Sequence, residues 1–208
     1  MTTRTWLHRM NFHRVFVLLV VFITIDFNCC HGRREWHNSF YDFTVKNIDG
    51  KRVRLEKYRG TPSLVVNVAS ECGYTDRTYH ELVELSKDPQ FEGRLNILAF
   101  PSNSFYQELH SNEEIKRYVK ALYDVEFPLF AKVEVIGHGA DPAWQFLTSN
   151  AHQEPTWNFW KYLVDSEGQV KGAWGQDTPV HSLYSELLDE AIMAEPYRYR
   201  HSHFDDEF

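Results

Sequence analysis

The spacing of apolar residues changes repeatedly between residues 39 and 194, which indicates alternating strands and helices. Residues 41–48 alternate apolar and polar side chains, Asp49-Gly50 supplies a turn, and residues 52–55 are expected to run back beside them as a second strand. This pattern predicts an N-terminal β-hairpin. Residues 64–68 form a short continuous apolar run, as expected of a strand buried on both faces, and residues 95–100 are predicted to be a second such strand.

Helical spacing of apolar residues separates these strands. Residues 76–87 carry apolar side chains at intervals of three and four, with charges between them. Ser111 and Glu114 form a capping box ahead of a second helix, and Asp141-Pro142 provides the cap and first-turn proline of a short helix that runs to Leu147. Strands are also predicted at residues 132–136, 162–164 and 169–173, and a last helix at residues 179–193.

This order of elements predicts the fold class. A β-α-β crossover followed by an antiparallel hairpin and a helix gives an α/β fold with a mixed central β-sheet flanked by helices. No internal repeat or low-complexity linker interrupts residues 39–194, so we expect one domain there. A chain of 208 residues is long enough to bury a core without disulfides or a structural metal.

The first 30 residues differ from the rest of the chain. Three arginines precede an unbroken apolar stretch at residues 15–25, which is the pattern of a secretory signal peptide. This stretch is shorter than the roughly 20 apolar residues that span a bilayer, and an uncleaved signal anchor is the alternative interpretation. Asn28 and Cys30 are the best small-residue pair for signal peptidase, so we expect cleavage before His31.

The last residues of the chain carry no apolar periodicity. Residues 195–208 are therefore predicted to form an exposed tail. Its final four residues, 205–208, resemble the retention signal of the endoplasmic reticulum with Phe in place of the last Leu. A solvated acidic tail is the alternative. The resemblance of the tail to a retention signal favours the lumen of the endoplasmic reticulum over secretion.

Charge and cysteine content narrow the classes of function. The net charge of -7, with 22 basic and 29 acidic residues, argues against nucleic acid as a partner. The three cysteines, Cys29, Cys30 and Cys72, are spaced too poorly for a zinc site or a disulfide framework. The histidines show no metal-ligand spacing, so we expect neither metal nor cofactor, and any cysteine chemistry rests on single thiols.

Cys72 is the candidate for that chemistry. It follows a predicted buried strand and precedes a predicted helix, within the segment Val68-Ala-Ser-Glu-Cys72-Gly73. The positive end of a helix dipole and its free amides favour a thiolate over a thiol. Ligands of α/β proteins also usually bind at the carboxyl ends of the strands of the sheet. An inert buried cysteine is the alternative, and the position of Cys72 favours a nucleophile.

Three segments of the chain resemble the signature segments of the glutathione peroxidase family. They are Asn67-Val-Ala-Ser-Glu-Cys72-Gly73, Leu98-Ala-Phe-Pro101 and Trp157-Asn158-Phe-Trp-Lys-Tyr162-Leu-Val, and their order and spacing are similar as well. The resemblance implies a thioredoxin-like fold over residues 39–194. The run from Glu154 to Val164 and both chain ends most resemble the branch of the family that resides in the endoplasmic reticulum.

The resemblance also implies the catalytic residues. Cys72 would be the peroxidatic thiol, and Trp157 and Asn158 would donate hydrogen bonds to its sulfur and to the peroxide. The family's usual Phe-Pro-Cys-Asn-Gln-Phe-Gly appears here as Phe100-Pro-Ser-Asn-Ser-Phe-Tyr106, with a loop one residue shorter. By position, the family's catalytic glutamine then falls on Ser104 and its second cysteine on Ser102. Gln107 is the alternative source of the amide.

The function implied is a thiol-dependent peroxidase that reduces hydrogen peroxide or small organic hydroperoxides. The sulfenic acid formed on Cys72 would be recycled by glutathione or by a protein dithiol of the disulfide-isomerase type. Two alternatives are a redox sensor or interaction protein of the secretory pathway with weak peroxidase activity, favoured by Ser104, and a non-catalytic binding module. The short segment between Pro128 and Trp157 resembles monomeric rather than tetrameric members of the family.

Overall fold

The structure is a computed structural model that describes residues 37–194. These residues belong to the second of two units into which the chain divides, residues 1–36 and 37–208. The predicted signal segment and the predicted tail lie outside the described residues. Between residues 37 and 194, no helix combines the length and the apolar character needed to cross a bilayer.

Strands and helices follow the predicted alternation. The N-terminal hairpin is confirmed and pairs β1 (Thr44–Lys46) with β2 (Arg52–Arg54) in antiparallel fashion. The other elements are β3 (Ser63–Val68), α1 (Thr75–Lys87), β4 (Asn96–Pro101), α2 (Asn112–Tyr123), α3 (Pro142–Ala151), β5 (Lys161–Val164), β6 (Val170–Trp174) and α4 (Tyr184–Met193). Single 3-10 turns occupy Phe40–Asp42, Leu55–Tyr58 and Val180–Leu183.

Four strands form the central sheet in the order β4-β3-β5-β6. Strand β3 runs parallel to β4 and antiparallel to β5, and β5 runs antiparallel to β6. The predicted mixed sheet is therefore confirmed. All six residues of β3 are buried, because this strand has a neighbour on each side and a layer on each face.

Alternate residues of β3 contribute to two separate cores. Leu64 and Val66 face the core shared with α1 and α4, which includes Leu82 and Leu187. The opposite core contains Val65 together with aromatic residues from α3, the turn regions and the neighbouring strands. The period of two along a strand explains this division. By the same alternation, Asn67 shares the face of Val65.

Two predicted helix starts are confirmed in atomic detail. Ser111 Oγ accepts a hydrogen bond from Glu114 N–H at 3.3 Å, and Glu114 Oε2 accepts one from Ser111 N–H at 3.0 Å, which completes the capping box of α2. Asp141 Oδ1 accepts from Ala143 N–H at 2.9 Å at the start of α3. Each cap satisfies amides that a helix leaves without partners.

One predicted strand does not form, and the predicted last helix begins differently. Residues 132–136 form no strand, because this segment bonds to different partners in turn: Ala131 N–H donates to Lys46 O and Val133 N–H to Pro101 O. The last helix, predicted at residues 179–193, opens as the separate 3-10 turn Val180–Leu183. Glu81 Oε2 accepts a hydrogen bond from Val180 N–H at 2.6 Å, and this contact ties the turn to α1.

One cation is buried within the sheet. Lys161, the first residue of β5, is 1% exposed, and its Nζ donates a hydrogen bond to Phe159 O at 2.8 Å. Burial lowers the pKa of Lys161 to about 8, partly opposed by the charge of Glu81. Protonation of Lys161 is therefore less favourable in the folded protein than in the unfolded chain, where its pKa has the ordinary value of 10.5.

This burial predicts that the stability of the fold depends on pH. Between pH 8 and 10 the folded protein releases the Lys161 proton while the unfolded chain keeps it, so the free energy of unfolding should rise with pH. The slope should be at most about 1.4 kcal/mol per pH unit. Urea unfolding of the wild type and of Lys161→Met across this range tests the expectation. An equal slope in the variant would assign the effect to another group.

Candidate active site

The loop between β3 and α1 carries Cys72, and one threonine closes it. Thr75 Oγ1 accepts a hydrogen bond from Cys72 N–H at 3.1 Å and donates one to Ala69 O at 2.8 Å. Thr75 N–H in turn donates to Cys72 O at 3.0 Å. Cys72 is 8% exposed and forms no disulfide within residues 37–194. Cys72 therefore lies in the loop four residues after the end of β3 and three residues before the start of α1.

The loop after β4 is fastened to the Cys72 loop by two hydrogen bonds. Glu71 N–H donates to Gln107 O at 2.9 Å, and Ser70 N–H donates to Glu108 Oε1 at 3.2 Å. The Glu108 carboxyl is buried, and this burial raises its pKa. The paired loops hold Gln107 next to the segment that carries Cys72.

The turn before β5 carries the other two predicted residues. Asn158 is fully buried, and its Nδ2 donates a hydrogen bond to Gln107 Oε1 at 3.0 Å. Trp157 is 37% exposed, and its ring lies 5.5 Å from that of Phe105, measured between ring centroids. Asn158 thus joins the turn before β5 to the loop after β4.

The structure brings the sequence-predicted residues to one edge of the sheet. Within the described residues, the hydrogen bonds of Asn158 and Trp157 go to Gln107 and Asn67 rather than to the sulfur of Cys72. Gln107 Oε1 accepts the hydrogen bond from Asn158. The Nε2 of Gln107 is therefore the part of its carboxamide that can donate a further hydrogen bond. The three segments bring the neutral side chains of Gln107, Asn158 and Trp157 to the edge of the sheet at which the Cys72 loop lies. Neutral donors can stabilise an anion without competing for its proton.

Ser104 does not lie among these groups. Its Oγ donates a hydrogen bond to Glu134 Oε2 at 2.6 Å and accepts one from Val135 N–H at 3.0 Å. The loop turns back at Tyr106, which has a φ of 59° and is 89% exposed. Gln107, the alternative named from the sequence, supplies the amide at Asn158.

Sequence reasoning missed several residues that support this edge. Asn67, Thr75 and Glu108 hold the three loops, and each is a buried polar residue with partners in the backbone of the site. Asn67 is the one that the sequence signals, since an amide interrupts an otherwise apolar buried strand. Among residues 37–194, no cluster of His, Cys, Asp or Glu side chains is arranged to hold a metal ion.

On the outer side of the Cys72 loop, Tyr74 and Asp177 form a second contact. Tyr74 Oη donates to Asp177 Oδ1 at 2.6 Å, and this hydrogen bond raises the pKa of Tyr74. The Arg77 guanidinium lies 5.2 Å from the centre of the Tyr74 ring, and one of its nitrogens donates to Gln176 O. These contacts tie the start of α1 to the segment after β6.

Comparison with known proteins shows a clear similarity to one family. The profile of the family described as Glutathione peroxidase matches residues 40–148. Glutathione peroxidase 7 of Mus musculus is 50% identical over 156 residues, which cover 74% of this chain and 82% of the relative. Probable glutathione peroxidase 8 of Mus musculus is 43% identical over 162 residues, covering 75% of this chain and 76% of the relative.

Two solved structures give the same result for the fold. The crystal structure of T. cruzi GPX1 aligns with a TM-score of 0.59 and 29% identity, covering 74% of this chain and 96% of that chain. The crystal structure of Trgpx in apo form aligns with a TM-score of 0.61 and 27% identity over 74% of this chain and 97% of that chain. The sequence-based resemblance and the thioredoxin-like fold are both confirmed.

The position of Gln107 predicts that it, and not Ser104, affects the reactivity of Cys72. Gln107→Ala should slow oxidation of Cys72 by peroxide about 10-fold to 1000-fold, because it removes a preorganised donor. Ser104→Ala, in the same loop, is the matched control and should change the rate less than about 2-fold. Stopped-flow oxidation of both variants measures this. A larger loss in the Ser104 variant would contradict the assignment.

Proposed function

Since this chain belongs to the glutathione peroxidase family, we propose that the Cys72 thiolate is the group that reduces hydrogen peroxide or a small organic hydroperoxide. Thiol-dependent peroxidase activity is the activity of this family, and the chain is accordingly an oxidoreductase with peroxide as acceptor. The observation that carries the assignment to this site is the hydrogen bond between Asn158 and Gln107, held against the Cys72 loop.

The chemical step is a two-electron oxidation of sulfur. The Cys72 thiolate attacks one peroxide oxygen, the O–O bond breaks, and the electron pair leaves with the other oxygen, which takes a proton and departs as water or an alcohol. Asn158, Trp157 and Gln107 are proposed to donate hydrogen bonds to the thiolate and to the leaving oxygen. The products are a sulfenic acid on Cys72 and the reduced peroxide.

Reduction of the sulfenic acid is proposed to require an external thiol. Ser102 occupies the family's second cysteine position, and no cysteine follows Cys72 in the chain. One thiol would displace water to form a mixed disulfide, and a second would release Cys72 as a thiol. Glutathione and a protein dithiol of the disulfide-isomerase type are the two candidate reductants.

The sensor interpretation loses its main support from sequence. The sequence favours it because Ser104 stands at the position of the family's glutamine. The hydrogen bond from Asn158 to Gln107 offers another carboxamide for the site. Stopped-flow kinetics still separate the two functions, because only a peroxidase requires Cys72 to react with peroxide far faster than a free thiol does.

Removal of the proposed nucleophile and of one donor should have different effects. Cys72→Ser should abolish reduction of hydrogen peroxide, because an alcohol cannot replace the thiolate. Asn158→Ala should keep the reaction and slow it about 10-fold to 1000-fold, with a modest change in melting temperature. Peroxide consumption and thermal unfolding of both variants test this. An Asn158 variant that loses stability and keeps its rate would assign Asn158 to the fold.

The oxidation state of Cys72 during turnover gives a second test. One equivalent of peroxide should add one oxygen to the Cys72 peptide, trappable by dimedone, and excess peroxide without reductant should carry it on to the irreversible sulfinic acid. Peptide mass spectrometry of the full chain measures both. A disulfide between Cys72 and Cys29 or Cys30 would instead show that an N-terminal cysteine resolves the intermediate.

Residues 1–30 and 205–208 support a proposed location in the secretory pathway, with retention in the endoplasmic reticulum favoured over secretion. Microscopy of the full-length protein and glycosidase-sensitive tags test both parts separately. A cytosolic protein would contradict the signal, and bulk secretion would contradict only retention. We also propose a monomer, which equilibrium sedimentation tests directly.

A further inference from the structure

We propose that Asn67 is a positioning residue of the active site, which holds the turn carrying Trp157 and Asn158 in place for reaction at Cys72. This inference rests on the proposed function. Asn67 lies in β3, the strand that leads into the Cys72 loop, and its side chain contacts the turn before β5. It therefore joins the nucleophile's strand to the donors' turn.

Asn67 bonds to the turn through its backbone and through both ends of its amide. Its Nδ2 donates to Trp157 O at 3.2 Å, and its Oδ1 accepts from Trp160 N–H at 2.8 Å. Its backbone oxygen accepts from Phe159 N–H at 2.7 Å. Its backbone N–H also donates to Trp160 O at 3.3 Å. Two of these four hydrogen bonds depend on the side chain, so a substitution can remove them while the pairing of the strand remains.

The turn needs such support because its backbone is in an unfavourable conformation. Phe159 has a φ of 67°, in the left-handed region that residues other than glycine rarely adopt, and its side chain is fully buried. A backbone of this kind persists only where its surroundings fix it. Asn67 binds Phe159 N–H, and Lys161 Nζ binds Phe159 O, so both polar groups of this residue are held.

The consequence for catalysis follows from the neighbouring residue. Asn158 immediately precedes Phe159, and its Nδ2 reaches Gln107 at 3.0 Å. If Trp157 O and Trp160 N–H lose their partners, the turn relaxes and Asn158 moves away from Gln107. Displacement of a positioned group by about 1 Å can cost about 100-fold in rate. Asn67 itself need not touch the peroxide to have this effect.

The test is Asn67→Asp in the full-length protein. This change keeps the shape and the acceptor for Trp160 N–H, and it replaces the donor to Trp157 O with a second acceptor. Oxidation of Cys72 by hydrogen peroxide should slow about 10-fold to 100-fold. Alkylation of Cys72 by iodoacetamide has no leaving peroxide oxygen for these donors to stabilise, and at a pH where the thiol is ionised in both proteins its rate should change less than about 2-fold. Quenched samples are read by mass spectrometry of the Cys72 peptide.

Asn96→Asp is the matched control. Asn96 starts β4 at the opposite end of the sheet, and its Nδ2 likewise donates to backbone oxygens, those of Tyr58 and Thr61. This variant should lose stability without selective loss of the peroxide rate. An equal selective loss in Asn96→Asp, or an unchanged peroxide rate in Asn67→Asp, would overturn the proposal.

If Asn67→Asp folds poorly, Asn67→Ser replaces it. A double-mutant cycle with Asn158→Ala then tests the proposal. If Asn67 acts through the turn, its substitution in an Asn158→Ala background should cost less than about 3-fold further in peroxide rate. Fully multiplicative losses would contradict positioning. A wild-type rate no faster than that of a free thiol would instead contradict the proposed peroxidase function, so the two failures can be told apart.

Discussion

The hydrogen-bonded pairing of β3 with a neighbour on each side is the constraint on which the site depends. Strand β3 runs parallel to β4 and antiparallel to β5, so the carboxyl ends of two strands and the amino end of a third meet at one edge. Cys72 follows β3, Gln107 follows β4, and Trp157 and Asn158 precede β5. A shift in register by one residue would turn every side chain of a strand to the opposite face. Register in the sheet therefore decides which side chains meet at this edge.

The groups at this edge are mostly neutral. Amides of Gln107 and Asn158 lie beside the Cys72 loop, whereas the buried cation Lys161 binds a backbone oxygen within the fold. A positive charge in contact with the thiolate would stabilise it but would also reduce its nucleophilicity. Neutral donors have their greatest value where negative charge develops during the reaction, on the leaving oxygen. Under the proposed mechanism, such donors act on the leaving oxygen more than on a permanently bound anion.

Much of the fold could be predicted from the sequence because its signals are local. The apolar run of β3, the capping box at Ser111 and Glu114 and the turn at Asp49-Gly50 each depend on nearby residues, and each is confirmed. Residues 132–136 were predicted wrongly because extended backbone resembles a strand in sequence whether or not it finds a continuous partner. The amide at Asn158 was ambiguous because counting positions gives Ser104. The hydrogen bond from Asn158 to Gln107 identifies the amide, and it depends on the three-dimensional course of the loop.

The hydrogen bonds of Asn67 also set an order of events during synthesis. Asn67 and Trp157 are 90 positions apart in the chain. At about 5 to 20 residues per second, the ribosome adds the donor turn on the order of 5 to 20 s after Cys72 has been made. Until that turn is added, its hydrogen bonds with Asn67 cannot form, so Cys72 spends this interval without the neighbours that the fold gives it. Pairing of β5 with β3 then brings the turn to the strand that leads to Cys72.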